Sequence, residues 1–273
     1  MQTLTDCSRL SLNQITTNRW NAREAIAACT RHHIPAIAFW RNKVAETGLQ
    51  ETARLAREAG LKISSLCRGG WFPAEDAAER QQRIEDNLRA IDEAATLGTD
   101  VLVLVCGPIA GRDLDGSRQM VADGIAAIAP YAKERGIRLG IEPLHPMFAA
   151  DRSVIVTLGQ ANKLAAQFAA DTVGVVVDVF HVWHDPELYL EIEKARGRIL
   201  GFHVSDWLVP LPDVLLGRGM MGDGVIELRR IRAAVEAAGY NGLIEVEIFN
   251  QQIWDAPGDD TLQLMKERYL SCV

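Results

Sequence analysis

The chain has no Cys-x-x-Cys pair, although it holds five cysteines in 273 residues: Cys7, Cys29, Cys67, Cys106 and Cys272. An odd count without paired spacing argues against a disulfide framework, and it reads as buried free thiols in a reducing cytoplasm. No uninterrupted apolar run approaches ~18 residues, so no transmembrane helix is expected. The opening MQTLTDCSRL lacks the apolar core of a secretory signal. Basic residues are outnumbered, 29 to 36, and the net charge of −7 argues against a nucleic-acid or anionic-membrane partner. The stretch SLNQITTNRW contains no glycine. It occupies the place where a doubly wound dinucleotide-binding sheet carries its phosphate turn. These absences leave a cytoplasmic protein that handles a small molecule.

What is present is a repeat of short β-rich runs and helical patterns. Eight strands are predicted: Leu10–Asn13, Ala36–Trp40, Lys62–Leu66, Val101–Cys106, Arg138–Glu142, Val173–Asp178, Ile199–His203 and Leu243–Ile248. Runs such as VLVLV and VGVVV are apolar on both faces, as strands covered on both sides require. Helices with apolar spacings of three and four are predicted over Ala45–Ala59, Ala77–Leu97, Met120–Arg135, Gly159–Ala170, Leu188–Ala195 and Glu227–Ala238. Four of them end at Gly60, Gly98, Gly136 and Gly239, each shortly before a strand. A glycine there accepts the left-handed conformation that closes a helix. The pattern predicts one (β/α)8 TIM barrel over residues 1–273, with the long Asp206–Gly224 segment lying over its C-terminal mouth.

Four residues end successive apolar runs: Glu142 in RLGIEP, Asp178 in VGVVVD, His203 in ILGFH and Glu247 in LIEVE. Their gaps of 36, 25 and 44 residues fit no local motif. A barrel delivers each strand end to one rim and gathers the four around one point. Each has an ordinary explanation singly, a cap, a solvated loop residue or a core histidine. Together, three carboxylates and an imidazole suit one divalent ion, Mn²⁺, Mg²⁺, Co²⁺ or Zn²⁺. Glu245 contests the fourth position, because it faces the same side of an ideal strand as Glu247. Glu247 is preferred as nearer the rim. His181, three residues after Asp178, is expected to contact substrate or orient a ligand. His145 in EPLHP is a candidate acid–base group, and His184 a solvated or capping residue. Arg218 in GRGMMGDG is expected to bind a substrate oxygen from the mouth loop. Trp40, Trp71, Trp183, Trp207 and Phe72 follow strands and offer aromatic faces to a sugar ring. Trp183 and Asp206 complete the expected substrate contacts.

Carried by IEPLHP, VVVDVFH, FHVSD, RGMMGDGVIE and VEIF, the chain resembles the xylose-isomerase-like TIM-barrel family of sugar phosphate isomerases and epimerases. That family includes inosose isomerases, ketose 3-epimerases and 3-dehydroshikimate dehydratases. The resemblance implies that Glu142, Asp178, His203 and Glu247 are the metal ligands. It implies that Glu142 and Glu247 also exchange protons on opposite faces of a carbohydrate substrate, that His181 contacts substrate oxygens and that Arg218 is a mouth-loop arginine. The expected activity is isomerisation or epimerisation of a keto-sugar, sugar phosphate or inositol derivative through an enediolate. A second expectation is a lyase or dehydratase on an oxidised sugar or 3-oxo-glycoside, including C-glycoside deglycosidation beside a small partner subunit. A third is a sugar-binding barrel without catalysis. A homo-oligomer is compatible with each.

Overall fold

In the computed structural model, which describes residues 3–273, the chain alternates strands and helices throughout. The strands are β1 (Leu10–Asn13), β2 (Ala36–Trp40), β3 (Lys62–Gly70), β4 (Val101–Val105), β5 (Arg138–Glu142), β6 (Val173–Asp178), β7 (Ile199–Val204), β8 (Asp206–Trp207), β9 (Arg218–Gly219) and β10 (Ile244–Val246). Eight of them close a barrel in the order β1-β10-β7-β6-β5-β4-β3-β2, every pair parallel. All eight expected strands are therefore present, in a TIM barrel. Among the described residues, no helix is long and apolar enough to cross a membrane.

The four helix-ending glycines, Gly60, Gly98, Gly136 and Gly239, have φ of 68°, 87°, 70° and 96°. Each helix turns into its next strand through the left-handed conformation expected there. The single helix expected over Ala45–Ala59 is instead two, Arg41–Thr47 and Leu49–Glu58, because Gly48 interrupts it at φ 95°. A C-terminal helix, Gly258–Cys272, was not among the expected ones and closes the ring beside the first helix, Ala22–Arg31.

Two strand ends depart from expectation by more than one residue, each for a local reason. β3 runs on to Gly70 because Asn87, from the helix Ala77–Leu97, accepts from the Gly70 N–H at 2.7 Å and donates to its carbonyl at 2.8 Å. β10 stops at Val246 because the Thr16 hydroxyl replaces the ladder there. It donates to Val246 O and accepts from Ile248 N, each at 2.9 Å.

The main core lies between the strands and the helix ring. A second, smaller apolar cluster fills the barrel interior: Cys67, Val101, Val103, Val176 and Leu200. It is packed tightly enough that a Cβ on Gly140 would lie 2.8 Å from Val176 Cγ2. This plug is the floor beneath the polar residues at the C-terminal ends of the strands. Cys29, Cys67 and Cys106 are buried, and burial pushes the Cys29 thiol up to about 12. Such a thiol stays protonated and unreactive.

Candidate metal centre

Strand register places the acids. Asp178 pairs with His203 across β6 and β7, and His203 with Glu245 across β7 and β10. Glu142 is the last residue of β5. Glu247 lies one residue past β10, its N–H still bonded to Val204 O at 3.1 Å. One ligand atom from each of Glu142, Asp178, His203 and Glu247 lies within 4.8 Å of the others, and all four residues are buried. Ligands ~2.0–2.3 Å from a shared ion span about that distance.

The donor set fits a cation. Glu142 Oε1 and His203 Nδ1 face each other at 3.2 Å, yet among the described residues neither makes a well-directed hydrogen bond. Glu247 Oε2 is 3.4 Å from the same nitrogen. Buried polar atoms left unsatisfied around one point are costly, and an ion at their centre removes the cost. Burial, and then the charge of Glu247, raises the Glu142 carboxyl to about 7. Burial opposes protonation of His203, but Glu245, Glu142 and Glu247 outweigh it and hold the imidazole well above its usual range.

Glu245 faces the barrel interior one layer deeper than Glu247, as the period of two requires. Its Oε2 lies 3.2 Å from His203 Nε2, the nitrogen turned away from the four-ligand point. Asn13, at the end of β1, donates to Glu245 Oε2 at 3.3 Å and to Glu247 Oε1 at 3.1 Å. Asn13 was missed in the sequence. Its only signal is a polar residue closing an apolar strand.

Arg218 is buried at the centre, not exposed in the mouth loop. The segment after β7 doubles back as an antiparallel pair, β8 with β9, which returns Arg218 to the barrel. Phe249 O accepts from its N–H at 3.2 Å, and Asn250 donates to its carbonyl at 2.9 Å. The guanidinium donates to Asp178 Oδ2 at 2.7 Å and to Glu247 Oε2 at 3.3 Å, and it lies over Phe180 and Phe249. Three carboxylates, this arginine and a divalent ion cancel in formal charge. Asp178 stays below the usual carboxylate range although burial opposes it, chiefly because of Arg218.

His181 accepts at Nδ1 from the His145 N–H at 3.2 Å, which leaves its proton on Nε2. Nε2 lies 3.0 Å from Arg218 Nη2, so two donors meet. An acceptor oxygen beside them would satisfy both. Burial pushes the His181 imidazole down to about 3, so it is neutral.

The remaining expected contacts lie outside the mouth cavity, whose walls include Trp40, Trp71, Phe249, Glu142, Glu247 and His181. His145 caps a short turn, accepting from Met147 N at 3.2 Å, and packs at a tilt against His184 at 4.4 Å and Trp207 at 5.1 Å. Burial and His184 lower it to about 4. Asp206 spends both oxygens on the loop, accepting from Trp207 N, Gly222 N and Ile226 N at 2.8–3.0 Å. Trp183 packs on Trp207, and Phe72 is buried under the helix Leu114–Glu134. Arg68, Arg152, Phe148 and Phe180 line the cavity and were not singled out in the sequence. A larger open groove lies at the opposite rim, between strand starts such as Lys62, Asp100 and Arg138, and no ligand set of the described residues converges there.

Comparison with known proteins shows the family. The family described as xylose isomerase-like TIM barrel matches residues 24–268. A 3-dehydroshikimate dehydratase of Pseudomonas aeruginosa is 32% identical over 224 residues, 76% of this chain and 32% of the relative. An inosose isomerase of Bacillus velezensis is 22% identical over 274 residues, 95% of each. The chain spans only about a third of the length of the dehydratases it matches. The crystal structure of protein SMc04130 from Sinorhizobium meliloti 1021 is 49% identical, with a TM-score of 0.96 over 98% of this chain and 99% of that one.

Proposed function

The chain belongs to the xylose isomerase-like TIM barrel family, and on that premise we propose that it is a divalent-metal-dependent isomerase or epimerase of a keto-sugar or inositol derivative. The observation that carries the reading is the buried Glu142–Asp178–His203–Glu247 cluster beneath an aromatic-walled cavity. When bound there, a divalent ion would polarise the substrate carbonyl and so acidify the adjacent C–H.

The chain's own residues would do the rest. Glu142 and Glu247 both line the cavity, and two strands, β6 and β7, separate their positions around the barrel. One carboxylate takes the proton and the other returns it. Return at the opposite face gives epimerisation, and return at the neighbouring carbon gives isomerisation. The His181 Nε2–H and the Arg218 Nη2 donors meet at one point and would stabilise charge developing on a substrate oxygen. Trp40, Trp71 and Phe249 would cover the apolar face of the ring and exclude water.

The test is deuterium incorporation. Metal-loaded protein is incubated in D₂O with a panel of ketoses and inososes, and exchange at carbon beside the carbonyl is read by NMR. No exchange with any of them would sink the proposal. A second reading, a lyase or dehydratase on an oxidised sugar, is favoured by the 32%-identical dehydratase relative. It predicts loss of a β-substituent, and product analysis separates the two.

A further inference from the structure

Among the described residues, two arginines at the mouth donate no hydrogen bond to an acid. Arg68 follows Cys67 on β3, and its guanidinium lies 3.9 Å from the centre of the Trp71 ring. Among the described residues its guanidinium makes no hydrogen bond and no ion pair. Arg152 lies over Phe148 at 5.7 Å. Among the described residues its buried Nε makes no hydrogen bond, and its ion pair is a long one, 3.6 Å to the exposed carboxylate of Asp151 next to it in sequence. Both side chains line the same cavity as Glu142 and Glu247.

Most other arginines in this acid-rich chain are matched. Neighbouring Arg41 is held by Asp86 and Glu93, two bonds to each. That leaves Asp86 occupied and Arg68 without it. Burial, and then the nearby charge of Arg152, holds Arg68 below its usual range. Two half-buried cations facing one cavity repel each other unless an anion joins them. Arg68 lies against the Trp71 ring and Arg152 within reach of Phe148, and a guanidinium held over a ring face keeps its N–H groups for another partner. Those groups grip a carboxylate or phosphate in two bonds.

We propose that Arg68 and Arg152 form an anion subsite, so that the substrate carries a carboxylate or phosphate group as well as its keto-polyol part. The inference rests on the proposed reaction for where the reacting carbon lies, over Glu142 and Glu247. The anionic group then sits at the β3 side of the mouth, away from the proton carriers. A positive mouth on a protein of net charge −7 would also draw the anion in.

The test uses the metal-loaded full chain and four probes by titration calorimetry: 3-dehydroshikimate, D-fructose 6-phosphate, and neutral D-fructose and an inosose. At least one anionic probe is expected to bind about 10-fold or more tightly than both neutral ones. Arg68→Gln and Arg152→Gln should each weaken that probe by about 10- to 100-fold and leave the neutral probes within about twofold. Arg68→Lys, which keeps charge and bulk, should recover part of the loss. The tighter anionic probe names the source, carboxylate or phosphate. Equal binding of anionic and neutral probes overturns the subsite. So does an equal loss for both classes in the glutamine variants, or no anionic binding at millimolar concentration. Deuterium exchange run in parallel separates the two proposals. Exchange of a neutral ketose that Arg68→Gln leaves unchanged, without anion preference, removes the subsite and keeps the proton chemistry. Arg68-dependent anion binding without exchange does the reverse.

Discussion

Glu245 Oε2 stands 3.2 Å from Nε2 of His203, on the far side of the imidazole from the four-ligand point. This contact separates two acids on one strand face. Glu247 reaches the four-residue point, and Glu245 lies behind the imidazole that shares it. A carboxylate behind a ligating imidazole sets its tautomer and raises its basicity. Glu245→Gln is therefore expected to weaken metal binding by about 10- to 100-fold while leaving the fold intact. Competition against a chelator measures the first, and circular dichroism the second. Unchanged affinity would remove Glu245 from the centre.

Metal binding should release protons. In the ion-free site, Glu142 titrates at about 7 and His203 well above its usual range. Both must lose the proton to ligate, so binding at pH 7 should release between one and two, and affinity should rise with pH. Calorimetry in buffers of different ionisation enthalpy counts them. The same shifts give the ion-free protein the opposite trend in stability. Glu142 is raised from 4.5 to about 7, so its contribution is whole below 4.5 and is lost as pH rises through 7. The ion-free protein should melt lower at pH 8 than at pH 6, and the metal-loaded protein should not.

Arg218→Met removes the buried cation between Asp178 and Glu247. Breaking one side of such a network costs about 3–5 kcal/mol. The loss should be largest in chelator and smaller with Mn²⁺, because a divalent ion replaces part of the missing charge. Equal melting shifts in the two conditions would count against a shared charge balance.

Asp206→Ala leaves three loop N–H groups without their acceptor. A drop in stability of about 1–3 kcal/mol is expected, with loosening of the 206–226 segment and metal affinity unchanged. Hydrogen exchange over that segment checks it. Protection unchanged from the parent would return Asp206 to the role of a substrate contact.

His145→Ala separates the two chemical readings. The ring lies outside the cavity, packed at a tilt against His184 and Trp207. Deuterium exchange with a ketose should fall by less than about tenfold, whereas Glu142→Gln and Glu247→Gln should each cost about 10²–10⁴. A loss at His145 as large as at the glutamates would place it in the proton path.

The barrel and its four-ligand set were legible because both depend on period and position. Apolar runs ending in Glu142, Asp178 and His203, punctuated by Gly98 and Gly136, already describe βα units with acids at one rim. Glycine at a helix end and an acid at a strand end are local facts, so local sequence reports them. The interior role of Arg218 was not local. It depends on a loop that doubles back through β8 and β9, and on Phe249 and Asn250 from a distant strand end. The same holds for Asp206, whose partners lie up to 20 residues away.

From sequence alone came the eight-strand repeat and the four residues that the barrel gathers, since each is read from residue type at the end of an element. Tertiary structure alone decided how neighbouring charges divide their work. It set Glu247 at the centre and Glu245 behind His203, buried Arg218 among the acids, and left Arg68 and Arg152 facing the mouth with no acid hydrogen-bonded to either among the described residues. The physical reason is that charge balance in a buried site is a sum over strands remote in sequence, and only the closing of the barrel brings its terms within a few ångströms of one another.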